Sequence, residues 1–234
     1  MGNRTRFTHP LLRRDSWTLW EWWVLATIAG EIIGIGIIAA TSAIASHLTA
    51  INTVTLLHIV GALEGTVLGL MQWLVLRRYV KHAGWWVLAT MIGAIAAWLM
   101  SLQVTIVLIL IFSNNVSFVT TSAALLKAVF WLGAWVGAVL GFAQWLVLRT
   151  HVRYGALWIV ANAFAWGVGL LVAWAGAMLV TPGEFRFETA LVGITVGATI
   201  GVVVGSITGI VLVGLLKPRL LRHREASKGD RPHQ

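Results

Sequence analysis

The chain contains no cysteine. Disulfides, thiolate metal sites and thiol nucleophiles are thereby excluded. Charge is scarce as well: Asp, Glu, Lys and Arg make up 11% of the residues, against about 25% in an average soluble domain. Catalytic signatures are missing. There is no HExxH, no GxSxG, no spaced pair of His and acid suited to a metal, and no nucleophile beside a base. The 24 glycines include no phosphate-binding loop, because no Gly-rich loop leads into Lys and Ser or Thr. A bis-His haem would need a partner for His58 inside the membrane, and the nearby His47 falls in a turn. Nothing in the sequence implies a particular cofactor.

What the chain does have is apolar length. Hydrophobic residues make up 59% of it and the mean hydropathy is +0.86. With 234 residues it has room for one soluble domain or about six spanning helices, and the apolar runs select the second. The spacing predicts an all-α membrane domain over 1–216, with helices over about 18–45, 52–76, 85–112, 122–148, 156–180 and 189–216. A basic tail, expected to be disordered, follows over 217–234. The basic start and AIAS at 43–46 mimic a signal peptide. Yet the apolar run from Trp17 to Ala45 far exceeds the roughly 7–15 residues of a signal core, so it is expected to belong to the mature architecture.

The chain repeats itself. Gly65–Arg77 reads GTVLGLMQWLVLR and Gly137–Arg149 reads GAVLGFAQWLVLR, 72 residues on. Trp22–Gly30 (WWVLATIAG) and Trp85–Gly93 (WWVLATMIG) precede them in register. A weaker third copy has LWIVAN at 157–162 and GVVVGSITGIVL at 201–212. Self-similarity at a fixed period is an architectural signal. It predicts three parallel helical hairpins, about 17–76, 85–148 and 156–216, for which a pseudo-threefold bundle is the natural packing. The phrases WWVLAT and GxxxGxxQWLVLR resemble those of uncharacterised multispanning membrane proteins of cyanobacteria and Chloroflexi-like bacteria. The resemblance covers Trp22 to about Ala173 and implies a bacterial inner membrane, but no site.

The formal charge of +9 and pI near 11.3 do not imply a nucleic-acid partner. The basic residues sit in short clusters between apolar runs. Of 17 Lys and Arg residues, all but Lys127 and Arg186 fall on one side of the expected topology. By the positive-inside rule both termini are then cytoplasmic. Nine of the 14 tryptophans, namely Trp17, Trp20, Trp22, Trp23, Trp73, Trp85, Trp86, Trp145 and Trp158, fall at the cytoplasmic helix ends. They read as interfacial anchors. Trp73 with Arg77, and Trp145 with Arg149, are four apart, so ring and guanidinium share a helix face. The basic clusters and tail favour anionic lipid on that side.

Glycines are spaced by four on the even helices: Gly61, Gly65, Gly69; Gly133, Gly137, Gly141; and Gly197, Gly201, Gly205, Gly209. Such stripes let backbones approach closely, within the bundle or in a homo-oligomer. Polar residues inside the runs are the candidates for function, because they are costly there. They are Glu64, Glu31 and His58, with His58, Gly65 and Gln72 expected on one helix face. Two aligned sets join them: Thr27, Thr90 and Asn162, and Gln72, Gln144 and Thr208. These sets line a polar vestibule or hydrogen-bond between helices. The expected function is a non-catalytic packing scaffold or accessory subunit of a larger membrane complex. The alternative is a small-solute or ion transporter with a pathway past Glu64, Gln72 and Gln144.

Overall fold

The computed structural model describes residues 10–46, 52–112, 123–180 and 187–229. They form six helices, with no strand among the described residues: α1 (Pro10–Ser46), α2 (Thr53–Leu76), α3 (Trp85–Phe112), α4 (Ala123–Leu148), α5 (Leu157–Ala177) and α6 (Phe187–Gly229). Five carry stretches long and apolar enough to cross a membrane, from 21 residues at Leu157–Ala177 to 31 at Phe187–Lys217. In α3 the corresponding described stretch is the shorter Trp85–Ser101. The chain is therefore a membrane protein with several transmembrane helices. The three long turns lie outside the described residues, and with them Arg186 and a sequence match to a glycosylation acceptor, Asn115-Val116-Ser117.

Both outer helices are longer than expected. α1 starts at Pro10, where a missing N–H costs nothing in the first turn. α6 continues to Gly229, which corrects the expectation of a disordered tail from residue 217. The segment beyond Leu216 is rich in Leu, Arg and Lys, all strong helix formers. They carry the helix past Pro218, which removes one ladder hydrogen bond.

Each helix packs on its neighbours in the chain, and α6 packs on α1, so the six close into a ring. The most extensive contacts are α6 on α1, α4 on α5 and α2 on α3. The glycine stripes are the cause. A methyl group on Gly61 would sit 2.8 Å from Ile95 Cα, and one on Gly69 would sit 3.0 Å from Val87 Cα. Gly133, Gly137 and Gly141 press in the same way on Trp166, Asn162 and Ile159 of α5. Gly197, Gly201 and Gly205 press on Ile32, Ile28 and Val24 of α1. Apolar burial gives little contrast with lipid, so close backbone contact is what holds such pairs together.

The short turns α2–α3 and α4–α5 each hold one non-glycine residue in the left-handed region, His82 (φ 56°) and Tyr154 (φ 63°). Each carbonyl accepts from the first N–H of the next helix, Trp85 at 3.2 Å and Leu157 at 3.0 Å. Matching turn geometry thus sets the register of α3 on α2 and of α5 on α4, and it brings Trp86 and Trp158 into the middle of the ring.

Candidate functional site

Three indoles meet in the middle of the ring at its basic end. Trp23, Trp86 and Trp158 are fully buried and touch one another edge to face, with centroids 5.5–5.9 Å apart. Each indole N–H reaches a polar side chain on an even helix. Trp23 donates to Thr208 Oγ1 at 3.0 Å, Trp86 to Gln72 Oε1 at 3.0 Å, and Trp158 to Gln144 Oε1 at 2.9 Å. The backbone carbonyl of each tryptophan accepts from the residue four positions on. Thr27 donates at 2.9 Å, Thr90 at 2.8 Å and Asn162 at 2.9 Å. Gln144 Nε2 completes the net, donating to Thr90 Oγ1 at 3.1 Å and to Gln72 Oε1 at 3.5 Å.

All six members of the two aligned polar sets are therefore buried and hydrogen-bonded. Buried polar groups are tolerated when satisfied in this way. The triad also corrects a sequence expectation. Trp23, Trp86 and Trp158 are core residues, not interfacial anchors. In each WW doublet the neighbours point about 100° apart on the helix. The first member faces outward, with Trp22 54% and Trp85 64% exposed. The third copy, Leu157–Trp158, keeps only the second Trp, which was the one available clue. Leu76, Leu148, Leu212 and Leu216 join the indoles in one apolar cluster. The partly exposed Trp73 and Trp145 carry Arg77 and Arg149 over their rings at 5.1 and 5.5 Å.

One turn further from the basic end, Leu68, Leu140 and Val204 are buried. Above them the chemistry changes. Glu64 Oε2 accepts from Trp98 Nε1 at 2.6 Å. Glu64 and Trp98 line a cavity of about 190 Å³ that reaches Leu68 and Leu140 and stops short of Gln72 and Gln144. Trp166 and Ser101 line it as well. Glu31 is buried on α1 and is not among the residues that line this space. Glu31 Oε1 and Trp166 Nε1 are buried with no hydrogen-bond partner.

The other candidates separate from this centre. His58 is exposed, and its Nδ1 lies 2.7 Å from the Val54 carbonyl of its own helix. The spacing of seven keeps it on the helix face of Gly65 and Gln72, but nearer the helix end, where that face is exposed. A heptad drifts by about 20° on a straight helix, and His58 lies in the second turn of α2, at the rim of the ring. Lys127 is also exposed near a helix end. Among the described residues no group of three His, Asp or Glu is placed to hold a metal ion. Sequence reasoning missed Trp98 and Trp166, whose only signal was a position within an apolar run away from any interface. No protein-family model, curated protein or solved structure matches the chain.

Proposed function

We propose that the protein is a non-catalytic accessory subunit of a larger complex in the bacterial inner membrane. It is built from three parallel helical hairpins around a pseudo-threefold axis, with both termini cytoplasmic. Three observations support the architecture: the ring of helices, the glycine contacts made three times, and three indoles bonded to three aligned side chains. Satisfied, close-packed tiers at Leu68/Leu140 and at Gln72/Gln144 favour a rigid scaffold over an axial pathway.

The observation that carries the subunit reading is on the outer face of α4. Trp131 is 69% and Trp135 47% exposed. Neither indole N–H has a hydrogen-bond partner among the described residues. Trp135 lies halfway along α4, about 18–20 Å from either end at 1.5 Å per residue, which is far from the interfacial belt that indoles favour. An unpaired N–H in hydrocarbon is costly. The aligned residues of α2, Ile59 and Leu63, carry no donor. A partner's transmembrane helix offering an acceptor at this depth meets both needs, apolar contact and a bond for the N–H.

The test is photo-crosslinking from position 135 in native membranes, followed by gentle purification. A discrete partner should crosslink at 135, and Trp131→Ile with Trp135→Leu should release it without lowering thermal stability. Crosslinks to lipid alone, with no partner retained by the unaltered protein, would defeat the reading. The transporter reading keeps one supporting feature, the cavity at Glu64.

A further inference from the structure

The two polar tiers of the bundle differ in one respect. Around Gln72 and Gln144 every polar side chain takes part in a hydrogen bond, and no buried polar atom is left without one. In the tier of Glu64, polar groups are buried and left over. Glu64 Oε1 receives no hydrogen bond from any described residue, Trp166 Nε1 has no acceptor, and Glu31 Oε1 has no donor. The repeat gives no packing reason for this chemistry. The positions aligned with Glu64 are Val136 and Ile200, and those aligned with Trp98 are Ile35 and Leu170. Glu31 and Trp166 align with each other and with Ala94. An apolar set would fill the tier without leaving orphan groups, whose burial without a partner is unfavourable. Glu64 and Trp166 also border a cavity of about 190 Å³, so their missing partners have a place to sit.

We infer that this cavity is a binding site for a small organic amine cation carrying one oxygen acceptor. Glu64 Oε1, which lines the cavity and receives no hydrogen bond from any described residue, supplies a free acceptor for an ammonium. Trp98 and Trp166 offer aromatic surface, which attracts cations in a desolvated site. The Trp166 N–H meets the ligand's oxygen. Leu68 and Leu140 close the floor against an apolar body. The volume of about 190 Å³ is below the roughly 300–1,000 Å³ of ordinary drug-sized pockets, which matches a small ligand better than a whole lipid or peptide. A bare metal ion would leave the apolar wall and the Trp166 donor unused. The site is independent of the partner face on α4.

The probe is 2-amino-1-phenylethanol, titrated by calorimetry into the full chain in lipid nanodiscs. One site per chain is expected. 1-Phenylethanol, which lacks the amine, should bind at least tenfold more weakly, and sodium chloride should not displace the probe beyond general screening. Glu64→Gln keeps an acceptor for Trp98 while removing the charge, and should weaken binding at least tenfold. Trp166→Phe should weaken the amino alcohol several-fold and leave 2-phenylethylamine, which has no oxygen, unchanged. Val136→Phe fills the cavity from α4 and should abolish binding even if Glu64→Gln proves unstable. Failure of the unaltered protein to bind any of these amines would overturn the proposal, as would amine binding that survives both Glu64→Gln and Val136→Phe.

Discussion

At the residue scale the buried tryptophans carry the most consequence. Trp158 combines an edge-to-face contact with two other indoles and a hydrogen bond to Gln144. Trp158→Phe retains most of the ring packing but strands Gln144 Oε1, at a cost of about 1–3 kcal/mol. Trp85→Phe, at an exposed position with no such bond, should cost far less. Melting of the two variants in the same mild detergent checks this, and equal midpoints would contradict the role given to the triad. The polar members of this centre were legible in the sequence, because Gln72, Gln144, Thr27 and Thr90 recur in register. The indoles were not, because a Trp near a basic helix end satisfies the interfacial rule and the core equally well. Only the burial of one member of each doublet separates the two.

At the scale of the element, the glycine stripes decide which helices touch. Their spacing was visible in the sequence, but their partner was not: a flat stripe specifies close approach and not which helix approaches. The structure sets each stripe on the next helix across the short turn, or on α1 in the case of α6. Gly137 faces the backbone carbonyl of Asn162, whereas Gly36 has nothing within 4 Å of an added methyl group. Gly137→Leu should therefore destabilise α4 against α5 by at least the about 1–3 kcal/mol of an overpacked core. Gly36→Ala should be neutral or stabilising by up to about 1 kcal/mol, from helix propensity alone. Thermal stability of the pair in detergent is the check, and a tolerated Gly137→Leu would show that the stripe is loosely packed. The ends of α1 and α6 escaped the sequence reading for a different reason. Hydropathy marks where a helix leaves the bilayer, while Leu, Arg and Lys continue it in water.

On the scale of the whole molecule, the polar and apolar tiers, the partner face on α4 and the amine site all presuppose one arrangement. In the proposed arrangement, six crossings place the Arg77/Arg149 end of the ring on the cytoplasmic side. The charge asymmetry of the sequence supports that orientation, and the ring of six helices is consistent with an even number of crossings. Because the chain has no cysteine, single cysteines report topology without background. Lys81→Cys, in the exposed α2–α3 turn, and Ser117→Cys, in the segment joining α3 to α4, are the decisive pair. With an impermeant thiol reagent added to intact cells, Ser117→Cys should label at once, while Lys81→Cys should label only after the membrane is opened. Labelling of Lys81→Cys from outside, with Ser117→Cys protected until lysis, would contradict the orientation and with it the proposed architecture.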